Sequence, residues 1–248
     1  MLLLTLLSGG NLKDTVISLL ISLPVILFAL SVHEVAHGFA AYKCGDPTAR
    51  NLGRLSLNPI KHLDPIGCLM MLLVGYGWAK PVPINTRYFR DPKKGMAVTA
   101  AAGPAANLLI GLISIVLCAF FSACHTLVSI QMGEGFLQHC IFWLTMIFQL
   151  SAMFNLMLMI FNLIPIPPFD GSRIAFAFLP QRHYFLVMRY ERQIMLGLLV
   201  ALMAFSYFFD FSPSAWLAEK LIDTIYPSLY KAFSKLLLPR EIFEYLFT

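Results

Sequence analysis

The sequence Ser31-Val32-His33-Glu34-Val35-Ala36-His37-Gly38 stands near the end of an apolar segment that begins around Thr15. Residues four apart share one face of an α-helix, so the rings of His33 and His37 can bind one metal ion while Glu34 projects beside them. Two neutral imidazoles and one carboxylate hold a tetrahedral Zn²⁺ and leave the fourth position for a water that Glu34 can deprotonate. The stretch therefore predicts one Zn²⁺ per chain, bound near the end of a helix.

The residues before this stretch make the prediction more specific. The run Val16 to Leu30 contains no Lys, Arg, Asp or Glu, so three polar groups follow directly where hydrocarbon is expected. An ionisable residue inside a membrane span costs about 2.5–3.5 kcal/mol on insertion scales and marks a functional site by default. The alternative is a pair of structural histidines whose ring nitrogens are hydrogen-bonded at a helix end.

Composition places the chain among membrane proteins. Of its 248 residues, 58% are hydrophobic and 12% are charged, whereas charged residues make up about 25% of a soluble domain. The net charge of +5 comes from basic residues that lie in the connections between apolar runs. Basic residues in such connections are typical of membrane proteins, whose orientation they determine, rather than of a nucleic-acid-binding surface. We therefore expect no nucleic-acid partner.

The apolar segments predict an all-α polytopic membrane protein with about four to five transmembrane helices. A shorter run, Ile66 to Trp78, is interrupted by glycines and ends at Lys80-Pro81-Val82-Pro83, which favours a short membrane-inserted hairpin or re-entrant segment. The long segments, each near the roughly 20 residues that span a bilayer, are Thr15 to Tyr42, Met96 to Cys124, Gly135 to Leu163 and Gln193 to Phe209.

Basic residues predict the orientation in the cell membrane. The connection from Lys43 to Gly95 carries nine Lys and Arg, and the one from His125 to Glu134 carries none. The positive-inside rule places the first connection in the cytoplasm. Glu34 precedes Lys43 by nine residues, about 14 Å of helix, so the predicted metal site lies within the membrane toward its cytoplasmic side.

The last part of the chain has a different pattern. Residues 212–248 mix apolar side chains at roughly helical spacing with acidic and basic ones, which predicts an amphipathic helix interrupted at Pro227. We therefore predict a membrane core over residues 1–211 and an amphipathic C-terminal tail over residues 212–248. Two placements of the tail are open, on the outer membrane surface or against another subunit.

A third ligand is needed beside the two histidines, and Asp170 is the candidate. It lies in Asn162-Leu163-Ile164-Pro165-Ile166-Pro167-Pro168-Phe169-Asp170-Gly171, at the predicted cytoplasmic end of the third long span. The prolines remove backbone donors and disfavour helix, so the chain must unwind there. Unwound backbone at membrane depth is tolerated where it lines a cavity or is buried in protein. The alternative is a proline-rich helix exit whose Asp170 simply meets the cytosol.

The two motifs together resemble the paired signatures of the site-2 protease family, the intramembrane zinc metalloproteases. Further stretches are similar to the compact bacterial and archaeal branch, which has no added PDZ or CBS domain. They are Gly45-Asp46-Pro47-Thr48-Ala49-Arg50, Gly53-Arg54-Leu55-Ser56-Leu57-Asn58-Pro59, Gly77-Trp78-Ala79-Lys80-Pro81-Val82-Pro83 and Ala102-Gly103-Pro104-Ala105-Ala106-Asn107.

The resemblance implies roles for particular residues. His33, His37 and Asp170 would bind the zinc and Glu34 would be the general base. The reaction would be hydrolysis of peptide bonds in transmembrane segments of single-span membrane proteins, as in regulated intramembrane proteolysis. Asn107 and Asn162 would lie near the active site, where each would either contact the substrate backbone or oxyanion or form a buried interhelical hydrogen bond.

The resemblance also suggests that the broken run before Ile84 forms a membrane-inserted hairpin. Such a hairpin can hold an unwound substrate by β-augmentation, and the alternative is a simple packing loop.

Two other functions are compatible with part of the pattern. A catalytically silent membrane binding module would retain the metal site, but it has no physical need of Glu34 as a base. A metal transporter would use the histidines and Asp170 as a relay, but the sequence offers no second intramembrane ionisable cluster toward the outside.

Overall fold

The computed structural model describes residues 11–74, 77–178, 189–190, 193–198, 200–201 and 213–247. Within these ranges the chain is helical and contains no β-strand, which confirms the predicted all-α class. The α-helices are α1 (Leu12–Lys43), α2 (Thr48–Asn51), α3 (Pro65–Val74), α4 (Pro92–Met132), α5 (Phe136–Asn162), α6 (Asp170–Phe176), α7 (Pro213–Leu237) and α8 (Arg240–Phe247). Short 3₁₀ turns cover Pro59–His62 and Thr86–Tyr88.

Three of these helices, α1, α4 and α5, are long and apolar enough to cross a membrane. They coincide with the first three predicted segments, and α4 is longer than expected at both ends, because it begins at Pro92 rather than Met96 and ends at Met132 rather than Cys124. Its 41 residues measure about 60 Å, twice the roughly 30 Å hydrocarbon core. The fourth predicted segment, Gln193 to Phe209, lies mostly outside the described residues, although 193–198 and 200–201 are helical.

Local sequence signals fix the two ends of α1. The Asn11 side chain accepts a hydrogen bond from the Lys13 backbone N–H, and Asp14 lies in the first turn, where a negative charge is favoured by the helix dipole. At the other end Lys43 lies in the last turn, and Gly45 follows with a φ of 113°, which glycine adopts without a steric penalty. The helix therefore ends a short distance beyond His37.

The interrupted run near Ile66 forms a helix and a returning segment. Leu63 and Ala79 form an isolated antiparallel β-bridge, and the Lys80 N–H donates to the His62 carbonyl at 2.8 Å. Between these points stands α3, with ten residues. The chain turns back on itself here, as the predicted hairpin requires. The segment that leads into the turn is the helix α3, however, and the described residues contain no pair of β-strands.

Packing divides the chain into two compact units. One comprises Met1–Asn107 with Leu158–Pro213, and the other comprises Leu108–Met157 with Ser214–Thr248. In the second unit Ile115 and Leu156 are 1% exposed. The Ser114 and Ser151 hydroxyls are 2.8 Å apart, so polar groups of α4 and α5 satisfy each other beside an apolar core.

The C-terminal tail packs against α4 within the second unit. The Tyr226 hydroxyl donates to Ser122 Oγ at 2.9 Å, and the Tyr230 hydroxyl lies 3.1 Å from Thr126 Oγ1. The predicted interruption at Pro227 is wrong, because α7 continues through it to Leu237. Contacts with α4 on both sides of the proline offset the missing backbone hydrogen bond. The predicted boundary between residues 211 and 212 lies outside the described residues and stays a prediction.

Candidate metal centre

Two turns of α1 and the first residue of α6 bring three side chains together. His33 Nε2 and His37 Nε2 each lie 3.1 Å from Asp170 Oδ2, and the two nitrogens are 2.9 Å apart. The histidines are 5% and 7% exposed. The three side chains form the one group among the described residues whose ligand atoms have the mutual spacing of a metal site.

The outer nitrogen of each ring is tied to an acceptor. His37 Nδ1 lies 2.7 Å from the Thr99 carbonyl oxygen, which can only accept, so Nδ1 carries the proton. His33 Nδ1 lies 2.5 Å from Asn107 Oδ1. The Asn107 amide nitrogen donates to the Ala29 carbonyl at 3.4 Å, which assigns the amide orientation and leaves Oδ1 as the acceptor for His33.

These tautomers provide a test of whether a metal fits. With protons on both Nδ1 atoms, the two Nε2 atoms direct lone pairs toward each other and toward the Asp170 carboxylate. Three acceptors at 2.9 to 3.1 Å repel one another unless a cation lies between them. Neighbouring ligand atoms around a tetrahedral Zn²⁺ with bonds of about 2.0–2.1 Å stand roughly 3.3 Å apart. The donor set and its spacing therefore fit a zinc ion.

Asp170 is ionised in this environment. Burial alone would raise the pKa of its carboxyl group, but protons on Nε2 of His33 and His37, at the place where a metal ion would otherwise stand, donate hydrogen bonds and supply positive charge that outweigh burial and hold the pKa well below its usual range. The group is therefore a carboxylate at neutral pH, the form in which it binds a metal.

The backbone around Asp170 explains how a residue after a long helix reaches the histidines. The helix α5 ends at Asn162, and α6 begins at Asp170 after an extended Phe169 with φ −69° and ψ 153°. A Cβ atom at Gly171 would lie 2.3 Å from the Leu163 carbonyl oxygen. Only glycine lets the chain fold back this closely, so Gly171 sets the approach of Asp170 to the site.

Gly103 contributes to the site because its missing side chain leaves room for the rings of His33 and His37. A Cβ atom there would lie 2.6 Å from Cε1 of both His33 and His37 and from His37 Nε2. The absence of a side chain therefore lets α4 pass directly against the two rings. The sequence analysis named Gly103 only as part of the motif Ala102-Gly103-Pro104-Ala105-Ala106-Asn107, and that motif did not show that the two rings pack against it.

Glu34 has a hydrogen-bond partner outside the three-residue group. Its Oε2 accepts from the Val82 backbone N–H at 2.8 Å. One carboxylate oxygen is thereby fixed by the segment that follows Lys80-Pro81. Sequence reasoning missed Val82, although the quoted motif that contains it was the available signal.

The two candidate asparagines have different surroundings. Asn107 is fully buried, and its contact with His33 is a hydrogen bond between two helices. Its expected contact with a substrate stays a prediction. The Asn162 amide nitrogen donates at 3.0 Å to the Leu158 carbonyl of its own helix. That contact connects Asn162 to none of the residues of the metal centre, and its expected substrate role stays a prediction.

Comparison with known proteins identifies the family. The model of peptidase family M50 matches residues 21–205. The chain belongs to peptidase family M50. Its M50 region includes all of the candidate site residues, from His33 to Asp170. With three helices suited to cross a membrane among its described residues, this M50 member is a multi-pass membrane protein.

Two relatives of the chain carry names that mention zinc. The chain is 40% identical over 149 residues to a Bacillus subtilis (strain 168) protein called "Putative zinc metalloprotease YwhC", covering 60% of this chain and 64% of the relative. It is 29% identical over 152 residues to "Putative zinc metalloprotease Rip2" of Mycolicibacterium smegmatis (strain ATCC 700084 / mc(2)155), covering 58% and 52%. The match thus spans between about half and two thirds of each relative. No solved structure matches the chain.

Proposed function

We propose that this chain is a zinc-dependent endopeptidase that hydrolyses peptide bonds in membrane-spanning substrates. One observation carries the proposal: two imidazole nitrogens and a carboxylate oxygen lie within 3.1 Å of one another, beside a helix residue of the right type to be a base. Family membership and the names of the relatives support the same chemistry.

The residues of the centre have separate roles in this mechanism. His33, His37 and Asp170 would hold the zinc ion through Nε2, Nε2 and Oδ2. When bound, Zn²⁺ supplies Lewis acidity for the scissile carbonyl and lowers the pKa of a bound water to about 7. Asn107 and the Thr99 carbonyl hold the rings in the tautomer that presents Nε2, as the outer partners of metal-binding histidines commonly do.

Glu34 would move the proton. Its Oε2 accepts from the Val82 N–H, so Oε1 is the oxygen that would take a proton from the attacking water. The same carboxyl group would then protonate the amine nitrogen of the leaving peptide. A scaffold that only bound helices would not need an acid-base group at this position.

The proposed substrates are single-span membrane proteins, and the proposed location is the cell membrane. The proposed orientation has the end of α1 on the cytoplasmic side, and it is supported by the nine Lys and Arg from Lys43 to Gly95. The helix of a substrate must unwind before its carbonyl is accessible, because intrahelical hydrogen bonds otherwise occupy its backbone. The segment Ala79–Val82 contacts Glu34 through the Val82 N–H, so an extended substrate at the proposed base would lie beside this segment.

The test compares Glu34→Gln with the unmodified chain, both purified in detergent. Glutamine keeps the size of the side chain but cannot act as a base, so we expect full zinc content by elemental analysis and a loss of cleavage of about 10²–10⁴-fold. Glu134→Gln, a substitution of the exposed glutamate between α4 and α5, is the matched control. Undiminished cleavage by Glu34→Gln, or protein purified without zinc, would contradict the proposal.

The outcome also separates the alternative. A silent binding module would hold zinc and show no cleavage in either form of Glu34. If the unmodified chain does cleave, its substrates are the membrane proteins that accumulate uncut in cells carrying Glu34→Gln, since loss of the base leaves them intact.

A further inference from the structure

The segment Lys80–Asn85, here called the anchored segment, carries the N–H that contacts Glu34. Proline has no backbone N–H, and Pro81 and Pro83 flank Val82. Val82 therefore supplies the one N–H between Lys80 and Ile84, and this N–H donates to Glu34 Oε2 at 2.8 Å. The position of the Glu34 carboxylate thus depends on where the anchored segment is held.

Arg54 holds the beginning of the anchored segment. Its Nη2 donates to the carbonyl of Lys80 at 2.8 Å and to that of Pro81 at 3.3 Å. Both carbonyls immediately precede Val82 in the chain. One nitrogen of the guanidinium group makes both bonds, and its two N–H groups are fixed in the guanidinium plane, whereas the N–H groups of an ammonium rotate freely.

Asp46 holds the end of the anchored segment. Its Oδ2 accepts from the Asn85 N–H at 2.6 Å, and its Oδ1 accepts from the Thr48 N–H at 2.9 Å and from the Thr48 hydroxyl. Asp46 is 0% exposed, and these three partners are all neutral. A buried carboxylate is costly unless it is fully hydrogen-bonded, and this one uses its bonds to join the end of α1 to the anchored segment.

We propose that Asp46 and Arg54 are positioning residues for hydrolysis. They hold the anchored segment at both ends, and through the Val82 N–H they set where the Glu34 carboxylate stands. The inference rests on the proposed function, in which Glu34 is the base. It assigns an effect on turnover to two residues that do not touch the metal group.

A merely structural role makes a different prediction. If the two residues only stabilised the fold, their substitution would lower the amount of folded, zinc-loaded protein and leave the turnover of each folded molecule unchanged. If they position Glu34, the folded and zinc-loaded enzyme itself turns over more slowly, since a displacement of about 1 Å can cost about 10²-fold in rate.

The experiment uses the full chain with Asp46→Asn or Arg54→Lys. We expect wild-type zinc content, KM within about twofold, and kcat lowered by about 10²-fold. Asp91→Asn is the matched control for the first variant, because Asp91 also accepts backbone N–H groups but is exposed at the start of α4. Arg50→Lys, at an exposed arginine of α2, is the control for the second.

A spectroscopic measurement reports on the contact without turnover. In [¹⁵N]valine-labelled protein the Val82 amide resonance, assigned by its loss in Val82→Ile, should shift in Asp46→Asn and in Arg54→Lys. The shift should be in the direction seen in Glu34→Ala, where the N–H has no carboxylate acceptor. The two matched controls should leave the resonance in its wild-type position.

The outcomes separate this inference from the proposed function. An active wild type with unchanged kcat and an unchanged Val82 resonance in both variants would overturn the positioning role and leave the proposed function standing. An inactive wild type whose Val82 resonance still responds would overturn the proposed function and with it the effect on turnover. Loss of the fold in both variants would also overturn the inference, since Asp46 and Arg54 would then be folding elements.

Discussion

The carboxylate of Asp170 lies 3.1 Å from Nε2 of His33, although 137 residues separate them in the chain. The contact joins the first residue of α6 to the last third of α1. The contact provides no hydrogen donor, because Nε2 of His33 and the carboxylate are both acceptors. His37 Nε2 lies at the same distance from the carboxylate and also directs a lone pair toward it. The contact is therefore best explained by a shared cation.

Substitution of Asp170 tests that explanation. Asp170→Asn keeps the shape of the side chain and removes its charge, so we expect zinc affinity to fall by more than the 10–100-fold typical of losing an outer partner. Zinc content after titration with a chelator measures the effect. Asp91→Asn is the control at an exposed aspartate. Full zinc retention in Asp170→Asn would mean that another residue is the third ligand.

Substitution of Asn107 tests the orientation of His33. Asn107→Ala removes the acceptor of the His33 Nδ1 proton, so the ring loses its fixed tautomer. We expect zinc affinity to fall by about 10–100-fold while the helices remain folded. Asn155→Ala is the matched control, because Asn155 is equally buried and donates to Ser151 in the other unit. Equal effects of the two substitutions on zinc affinity would contradict an orienting role.

Gly103 tests how tightly α4 must pass the rings. In Gly103→Ala the new methyl group would lie 2.6 Å from both imidazoles, closer than van der Waals contact permits, so the rings must move and zinc content should fall. At Gly111, on the same helix, a methyl group would meet Cδ2 and Cγ of Leu156 at 2.9 and 3.0 Å, but both residues belong to the second unit, whereas His33, His37 and Asp170 belong to the first. Gly111→Ala should therefore retain its zinc.

Gly171 tests the turn that delivers Asp170. A methyl group there would collide with the carbonyl oxygens of Leu163 and Ile164 at 2.3 and 2.6 Å, and backbone cannot move aside as a side chain can. We expect Gly171→Ala to lower both zinc content and the melting temperature. Gly135→Ala, where nothing lies within 4 Å, should change neither property. A zinc-loaded Gly171→Ala protein of normal stability would show that the turn tolerates a side chain.

Sequence and structure agree best where a signal is local. The 3.6-residue period alone places His33 and His37 on one face of α1, and long apolar runs alone predict α1, α4 and α5. Pro227 shows the limit of such reasoning. A proline is a local signal to end a helix, but α7 continues because tyrosines on both sides of it bond to α4.

The amino-acid sequence by itself determined the class of the protein, its apolar helices and the residues suited to bind a metal, because hydrophobicity and helical spacing act over neighbouring residues. Only the tertiary structure decided that Asn107 contacts His33, that Gly103 makes room for both rings, and that Val82 contacts Glu34. These contacts join residues 48 to 74 positions apart or depend on a missing side chain. Such relations leave no periodic pattern in a sequence, since they are set by how helices and the anchored segment pack in space.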